Sequence, residues 1–277
     1  MGNVRREGVV KSWVKGYFVG RDNVYEQAYK WIATDEQARK DVDGIIKLLR
    51  PRPGASIIDW CGGWGRHSIE LAKRGFEVTL IDISPQYIER AKASAQNAGV
   101  KINAVCADFR KRFWEFHADY AINMFTAGVG YFNEEDDIVA LHHLFDNLAF
   151  SVKGTNDKEE PKILIDTTNL FWLIKNFKDK REYSSPDGHQ LRIEESEFDP
   201  HTNRVKSKVV FRDNFTMSEK TRLTDHRVYS FLELKKVIER YGKFKVTDVY
   251  GGVDGSEFNV NSKRMVVIAK LVPVFLT

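Results

Sequence analysis

Asp59, Gly63, Gly65 and Asp82 are the residues whose types and spacing could do chemistry, and they fall in one short unit. Ala55 to Trp60 is an apolar run between Pro53-Gly54 and a glycine cluster, the pattern of a strand buried on both faces. Arg66 to Arg74 then turns Ile69, Leu71 and Ala72 toward a core and stops at Gly75, which reads as a helix with a left-handed residue past its end. The glycines between them let the backbone turn tightly and approach a ligand that a Cβ would repel. A second strand, Phe76 to Asp82, runs parallel to the first. It ends on a carboxylate about 20 residues past the glycines, where an acid can accept hydrogen bonds from ribose hydroxyls. Asp59, closing the first strand, suits a cationic ligand better than a pyrophosphate. Ser68 stands where a dinucleotide fingerprint has its third glycine, so that fingerprint is incomplete. Gly63 and Gly65 alone would also fit a purely steric turn; the four residues together point to a nucleoside.

The loop Cys61-Gly62-Gly63-Trp64-Gly65-Arg66-His67-Ser68 resembles that of the class I methyltransferases that use S-adenosylmethionine, and the resemblance covers nearly the whole chain. Three further blocks carry it: Ala107-Asp108-Phe109-Arg110, Ala121 to Thr126 with Gly130-Tyr131-Phe132, and Arg227-Val228-Tyr229. The resemblance implies S-adenosylmethionine as cofactor, with Asp59, Cys61, Gly63, Gly65, Arg66, Asp82, Ile83, Asp108, Phe109, Asn123 and Met124 around it. Within that set it assigns the ribose to Asp82, the adenine amino group to Asp108 and the methionyl part to the glycine loop. Cys61 departs from the glycine usual at that position in the wider superfamily.

Methyl transfer needs a nucleophile aligned with an activated methyl group, so alignment and exclusion of water count for more than a catalytic triad, and none is visible. Asn123, Phe125, Tyr131 and Phe132 follow the fourth strand and should face the methyl group, with Tyr131 as the catalytic candidate. Their rings could hold an apolar acceptor or an amine by cation–π attraction, or Phe125 and Phe132 could simply pack in the core. Tyr25, Phe125, Tyr131, Phe132, His189 and Arg227 form the expected acceptor-binding set. Tyr17, Tyr25 and Tyr29 lie in a segment that folds over the cofactor in similar enzymes, although Tyr25 and Tyr29 could equally pack on each other along a helix. Arg66 opposes the dipole of the helix it opens, so it should meet an anion, either Asp59 or the cofactor carboxylate. His189 and His226 lie in or beside the inserted sheet and could serve as bases; His67 reads as structural.

The leading functional expectation is transfer of a methyl group to a nitrogen or oxygen of a small molecule. A nucleic-acid methyltransferase is the second reading. Asn123-Met124-Phe125-Thr126 lacks the Asn-Pro-Pro-aromatic signature of many base-modifying enzymes, and no dense basic stripe offers a phosphate footprint. A nicotinamide-dependent oxidoreductase, or a cofactor-binding protein without catalysis, is the third. Asp59 and Ser68 speak against the oxidoreductase.

The 277 residues are 42% hydrophobic, enough for a substantial core, and the net charge of +4 is interleaved with charges of both signs. Cys61 and Cys106 have no partner at metal-ligand spacing, and His142 and His143 point differently along a helix, so no metal is expected. No apolar run approaches a membrane span, Met1-Gly2 lacks the downstream hydroxyl of an acylation site because Arg6 stands there, and a cytoplasmic location is expected.

Alternating strands and helices predict an α/β fold: a Rossmann-like, doubly wound sheet of seven strands. Residues 1–277 read as one methyltransferase domain, with 1–50 as an N-terminal helical cover and 183–229 as an inserted antiparallel lid. Thr34 and Ser230 open capping boxes, Ser84-Pro85 and Asn133 start two further helices, and Gly154 to Glu160 reads as a charged loop. Gln190 to Phe198, Asn203 to Arg212 and Lys220 to Tyr229 alternate polar and apolar residues as strands with one wet face. The inserted sheet would overhang the carboxyl ends of the main strands as an acceptor lid; its other reading is a surface joining a homodimer.

Overall fold

The computed structural model describes residues 12–19, 24–29, 31–111, 117–151 and 160–272. Met1-Gly2, Arg6 and most of the charged loop 154–160 lie outside them.

Two sheets organise the molecule. The larger is built from β1 (Ser56–Trp60), β2 (Glu77–Asp82), β3 (Asn103–Cys106), β4 (Tyr120–Asn123), β5 (Lys162–Thr168), β10 (Phe244–Tyr250) and β11 (Arg264–Leu271), in the order β10-β11-β5-β4-β1-β2-β3. β11 pairs antiparallel with both β5 and β10, while β1, β2, β3, β4 and β5 pair in parallel. This is the expected Rossmann-like architecture, and the strand order reverses beside β1, which opens a crevice at the carboxyl ends of β1 and β4. Ile57, Ile58, Leu80, Ile122, Leu164 and Val267 are buried, as runs of apolar residues in a sheet covered on both faces must be.

The helices on those faces are α3 (Asp35–Leu49), α4 (Arg66–Lys73), α5 (Pro85–Asn97), α6 (Glu134–Ser151) and α8 (Phe231–Glu239). Thr34 caps α3 through the Gln37 N–H, Asn133 accepts the Asp136 N–H before α6, and Ser230 with Glu233 closes the expected capping box on α8. Ser84 precedes α5 without a side-chain capping bond; its own N–H donates instead to Asp82.

The second sheet contains β6 (Lys180–Ser184), β7 (Gln190–Asp199), β8 (Arg204–Asp213) and β9 (Ser218–Arg227), paired antiparallel in chain order. It has four strands where the pattern predicts three. Lys180-Arg181-Glu182-Tyr183 is too charged to announce a strand, and the short helix α7 (Leu170–Lys175) precedes it. Val228 and Tyr229 leave the sheet and enter the core instead. Two short helices, α1 (Ser12–Phe18) and α2 (Val24–Tyr29), pack against β9 and β7 respectively. No helix among the described residues is long and apolar enough to cross a membrane.

Candidate active site

The β1–α4 loop forms one wall of the crevice. Cys61, Gly63 and Gly65 all have positive φ, 60°, 59° and 81°, which explains why glycine serves best here and why Cys61 is the costly exception. Gly62 was not singled out by spacing, yet a Cβ there would fall 2.2 Å from Leu80 and 2.6 Å from the Asp59 carboxylate. Gly65 faces Ala91 of α5 at 3.0 Å and serves helix packing, away from the cavity. Gly63 faces open space.

A cavity of about 920 Å³, counted out to its mouth, opens beside this loop. Of the expected residues it brings together Tyr25, Cys61, Gly63, Arg66, Asp82, Ile83, Phe109, Met124, Phe125, Tyr131 and Phe132. Val14, Phe18 and Tyr87 complete much of the wall from parts of the chain that only folding brings there, together with Trp64 of the loop and Gly128.

Asp82 ends β2 with Oδ2 accepting the Gly63 N–H at 2.9 Å and Oδ1 accepting the Ser84 N–H at 2.9 Å. Burial dominates over these two bonds and pushes its carboxyl up to about 6. Asp59 is wholly buried behind the loop, bonded to Ser68 Oγ at 2.6 Å, and burial raises it too. It touches the site only through its field and through Gly62.

Arg66 pairs with an anion other than Asp59. Asp41 of α3 accepts from Arg66 Nη1 at 3.1 Å and lies 2.9 Å from His67 Nε2. Burial works to raise Asp41, but His67, Gln37 and Arg66 outweigh it and bring the carboxyl to about 2. The other arm of the guanidinium, Nη2, is buried without a hydrogen-bond partner in the cavity wall. A buried, unsatisfied cationic donor is a place for an anionic group.

In the same cavity the rings of Phe18 and Tyr131 stack at 5.7 Å, with Trp13 edge-on to Tyr131 at 5.0 Å and Tyr25 edge-on to Phe18 at 5.0 Å. Burial holds the Tyr25 and Tyr131 phenols well above their usual range, so both stay protonated at neutral pH. Phe132 is core as well as wall, since it is 1% exposed and carries Arg110 over its ring at 4.4 Å.

Six expected residues stand elsewhere. Asp108 is forked by Arg110, whose Nε and Nη2 lie 3.1 and 2.7 Å from its oxygens, and it is not among the residues lining the cavity, although its neighbours Ala107 and Phe109 are. Asn123 spans to the Trp60 carbonyl at 2.7 Å and ties β4 to β1. Arg227 pairs with Glu134 and Glu233, an anchor for the end of β9 and outside the cavity lining. His189 is exposed in the β6–β7 turn, edge-on to Phe215 at 5.9 Å, because the unforeseen strand β6 carries that turn away. Asp59 and Gly65 are the remaining two, behind the loop as described. His226 also lies outside the lining, and burial lowers it to about 4. None of the four-stranded sheet lines the cavity among the described residues; the sheet reaches it through α1 and α2. Tyr17 packs on Phe211, while Arg192 lies over Tyr29 at 4.2 Å and Tyr29 stacks on Tyr25 at 4.4 Å.

Residues 57–149 match the family model described as "Methyltransferase domain". The chain is 33% identical over 88 residues to a glycine/sarcosine N-methyltransferase of Parasynechococcus marenigrum (strain WH8102), covering 31% of each protein. It is 38% identical over 64 residues to the tRNA 5-carboxymethoxyuridine methyltransferase of Escherichia coli (strain K12), covering 23% of this chain and 24% of that one. These matches therefore span about a third or less of those relatives' length. A solved structure of S-adenosylmethionine-bound CalS10, an amino pentose methyltransferase from Micromonospora echinaspora, superimposes with a TM-score of 0.64 at 18% identity, over 90% of this chain and 97% of that one. The fold is that of the class I methyltransferases. The family-model match at residues 57–149 covers β1 to α6 of that fold.

Proposed function

We propose that the protein methylates a nitrogen or oxygen of a small molecule. The observation that carries this reading is one cavity lined by two unlike sets of groups, which we read as its two ends. One end holds Asp82, the Gly63 turn and the unpartnered Nη2 of Arg66; the other is an aromatic wall of Phe18, Tyr25 and Tyr131. S-adenosylmethionine carries a ribose diol, a carboxylate and a cationic sulfur, and the first end offers a group for each of the first two. The glycine/sarcosine and amino pentose methyltransferases among the similar proteins support a small acceptor.

Bound there, S-adenosylmethionine supplies a methyl group on a sulfonium, already an activated leaving group. Asp82 would accept from the ribose hydroxyls, Arg66 Nη2 would donate to the carboxylate, and Gly63 leaves room because no Cβ intrudes. Ala107, Phe109 and Ile83 would form the apolar walls of the nucleoside end, and Asp108 would reach an adenine amino group only by sharing its Arg110 partner. Tyr131, a neutral phenol, would hydrogen-bond the acceptor and leave its deprotonation to solvent, which fits an amine or an already ionised oxygen. The aromatic wall excludes water and aligns the nucleophile, an effect that can supply roughly 7–11 kcal/mol in favourable cases.

The tRNA-modifying relative gives a second reading, an RNA acceptor. Calorimetric titration with S-adenosylmethionine, S-adenosylhomocysteine and NAD, followed by methylation assays on amines, hydroxylated small molecules and bulk tRNA, separates these. Binding of the sulfur nucleosides and turnover on a small acceptor support the proposal. Turnover on tRNA alone moves the reading to RNA, and binding of NAD alone overturns both.

A further inference from the structure

The turn after β4 holds two successive non-glycine residues in the left-handed region, Phe125 at φ 66° and Thr126 at φ 60°. For a β-branched threonine this backbone is strongly disfavoured, and it persists only where its surroundings hold it. The surroundings are Asp166 and Arg264. Asp166, on β5 and 4% exposed, accepts the Phe125 N–H on Oδ2 at 3.0 Å, and its carbonyl accepts the Thr126 N–H at 3.0 Å. Arg264, on the neighbouring β11, donates to Asp166 with Nε at 2.8 Å and Nη2 at 2.6 Å, and reaches Thr126 Oγ1 with Nη1 at 3.1 Å. Both backbone donors of the turn and its one hydroxyl are therefore engaged by this pair.

The turn carries a ring, and the ring carries a cation. Two guanidiniums approach the Phe125 ring, Arg66 5.0 Å and Arg264 5.8 Å from its centroid. Arg66 lines the cavity, and its Nη2 is buried without a hydrogen-bond partner. We propose that Asp166 and Arg264 are positioning residues, which hold the Phe125-Thr126 turn so that the Phe125 ring fixes Arg66 for the carboxylate of the cofactor. The inference rests on the cofactor reading given above and adds to it the device that aims Arg66. Neither Asp166 nor Arg264 lines the cavity, so any effect on binding must pass through the turn.

A coupling measurement tests this. The dissociation constant of S-adenosylhomocysteine is measured by calorimetry for the wild type, Asp166→Ala, Phe125→Leu and the double variant, each with a thermal melt. We expect Asp166→Ala to weaken binding about tenfold in the wild type, and by less than about twofold when Phe125 is already leucine. An equal loss in both backgrounds, or a lower melting temperature with unchanged affinity, overturns the proposal and leaves the pair a structural tie. Should Asp166→Ala not fold, Arg264→Met takes its place in the same cycle with the same outcomes. A wild type that binds no S-adenosylhomocysteine refutes the cofactor reading itself, a result distinct from any of these.

Discussion

Asp82 is a carboxylate on which burial and hydrogen bonding pull in opposite directions, and burial wins, to about 6. Ribose hydroxyls would donate to the ionised form, so ligand binding should expel a proton near that pH. The sign follows from linkage: a carboxyl raised in the folded state contributes stability below its unfolded value near 4, lost as pH rises through about 6. Affinity for S-adenosylhomocysteine should therefore fall below pH 6, by up to about tenfold per pH unit, with proton release visible by calorimetry in buffers of different ionisation enthalpy. Asp82→Ala should weaken binding by about 1.5–3 kcal/mol at neutral pH, the worth of a hydrogen bond to a charged group. Tyr131→Phe should leave that affinity nearly unchanged and lower turnover; loss of nucleoside binding would show that Tyr131 faces the wrong end. Asp82 and the glycines were legible in the sequence because their roles depend on neighbours within one strand-loop-helix unit. The partner of Arg66 was not, because Asp41 lies 25 positions away on another helix.

The segment that presents Tyr131 is fixed at Gly130. Its N–H donates to Asp137 Oδ2 at 3.0 Å, its carbonyl accepts the Arg227 N–H at 2.7 Å, and a Cβ would meet the Arg227 carbonyl at 2.1 Å. Tyr229 donates to the same Asp137 oxygen at 2.7 Å, while Oδ1 is buried without a partner. Burial outweighs those two bonds and raises Asp137 to about 7. Because the native state holds this proton between about pH 4 and 7 and the unfolded chain releases it, stability should fall as pH rises across that interval, by up to about 1.4 kcal/mol per pH unit. Thermal melts of Asp137→Asn across pH 4.5 to 8 should lack that component, and equal slopes for both proteins would refute it. The elements themselves were largely readable, since apolar runs, caps and glycine stops are local signals. β6 was not, because its alternating charges only become a strand by pairing with β7, and the error carried His189 to the wrong place.

At the scale of the molecule, the seven-stranded sheet frames the proposed cofactor end, and the four-stranded sheet backs the proposed acceptor end without lining it among the described residues. Its influence passes from Arg192 to Tyr29 to Tyr25, and from Phe211 to Tyr17. Arg192 is buried between the rings of Tyr29 and Tyr183, each 4.2 Å away. Arg192→Met should raise the KM for the acceptor while leaving nucleoside affinity unchanged; the opposite pattern would place Arg192 in the cofactor's reach. The two-sheet architecture was legible from the change of periodicity along the chain. The indirect support was hidden, since it joins α1 and α2 to strands more than a hundred residues later. The same division constrains how specificity can be inherited. A recombinant that receives only residues 180–227 from a relative should keep its parent's acceptor range, because the lining side chains, Phe18, Tyr25 and Tyr131, stay behind; only exchange of 12–29 and the Tyr131 segment together with that tract should transfer it.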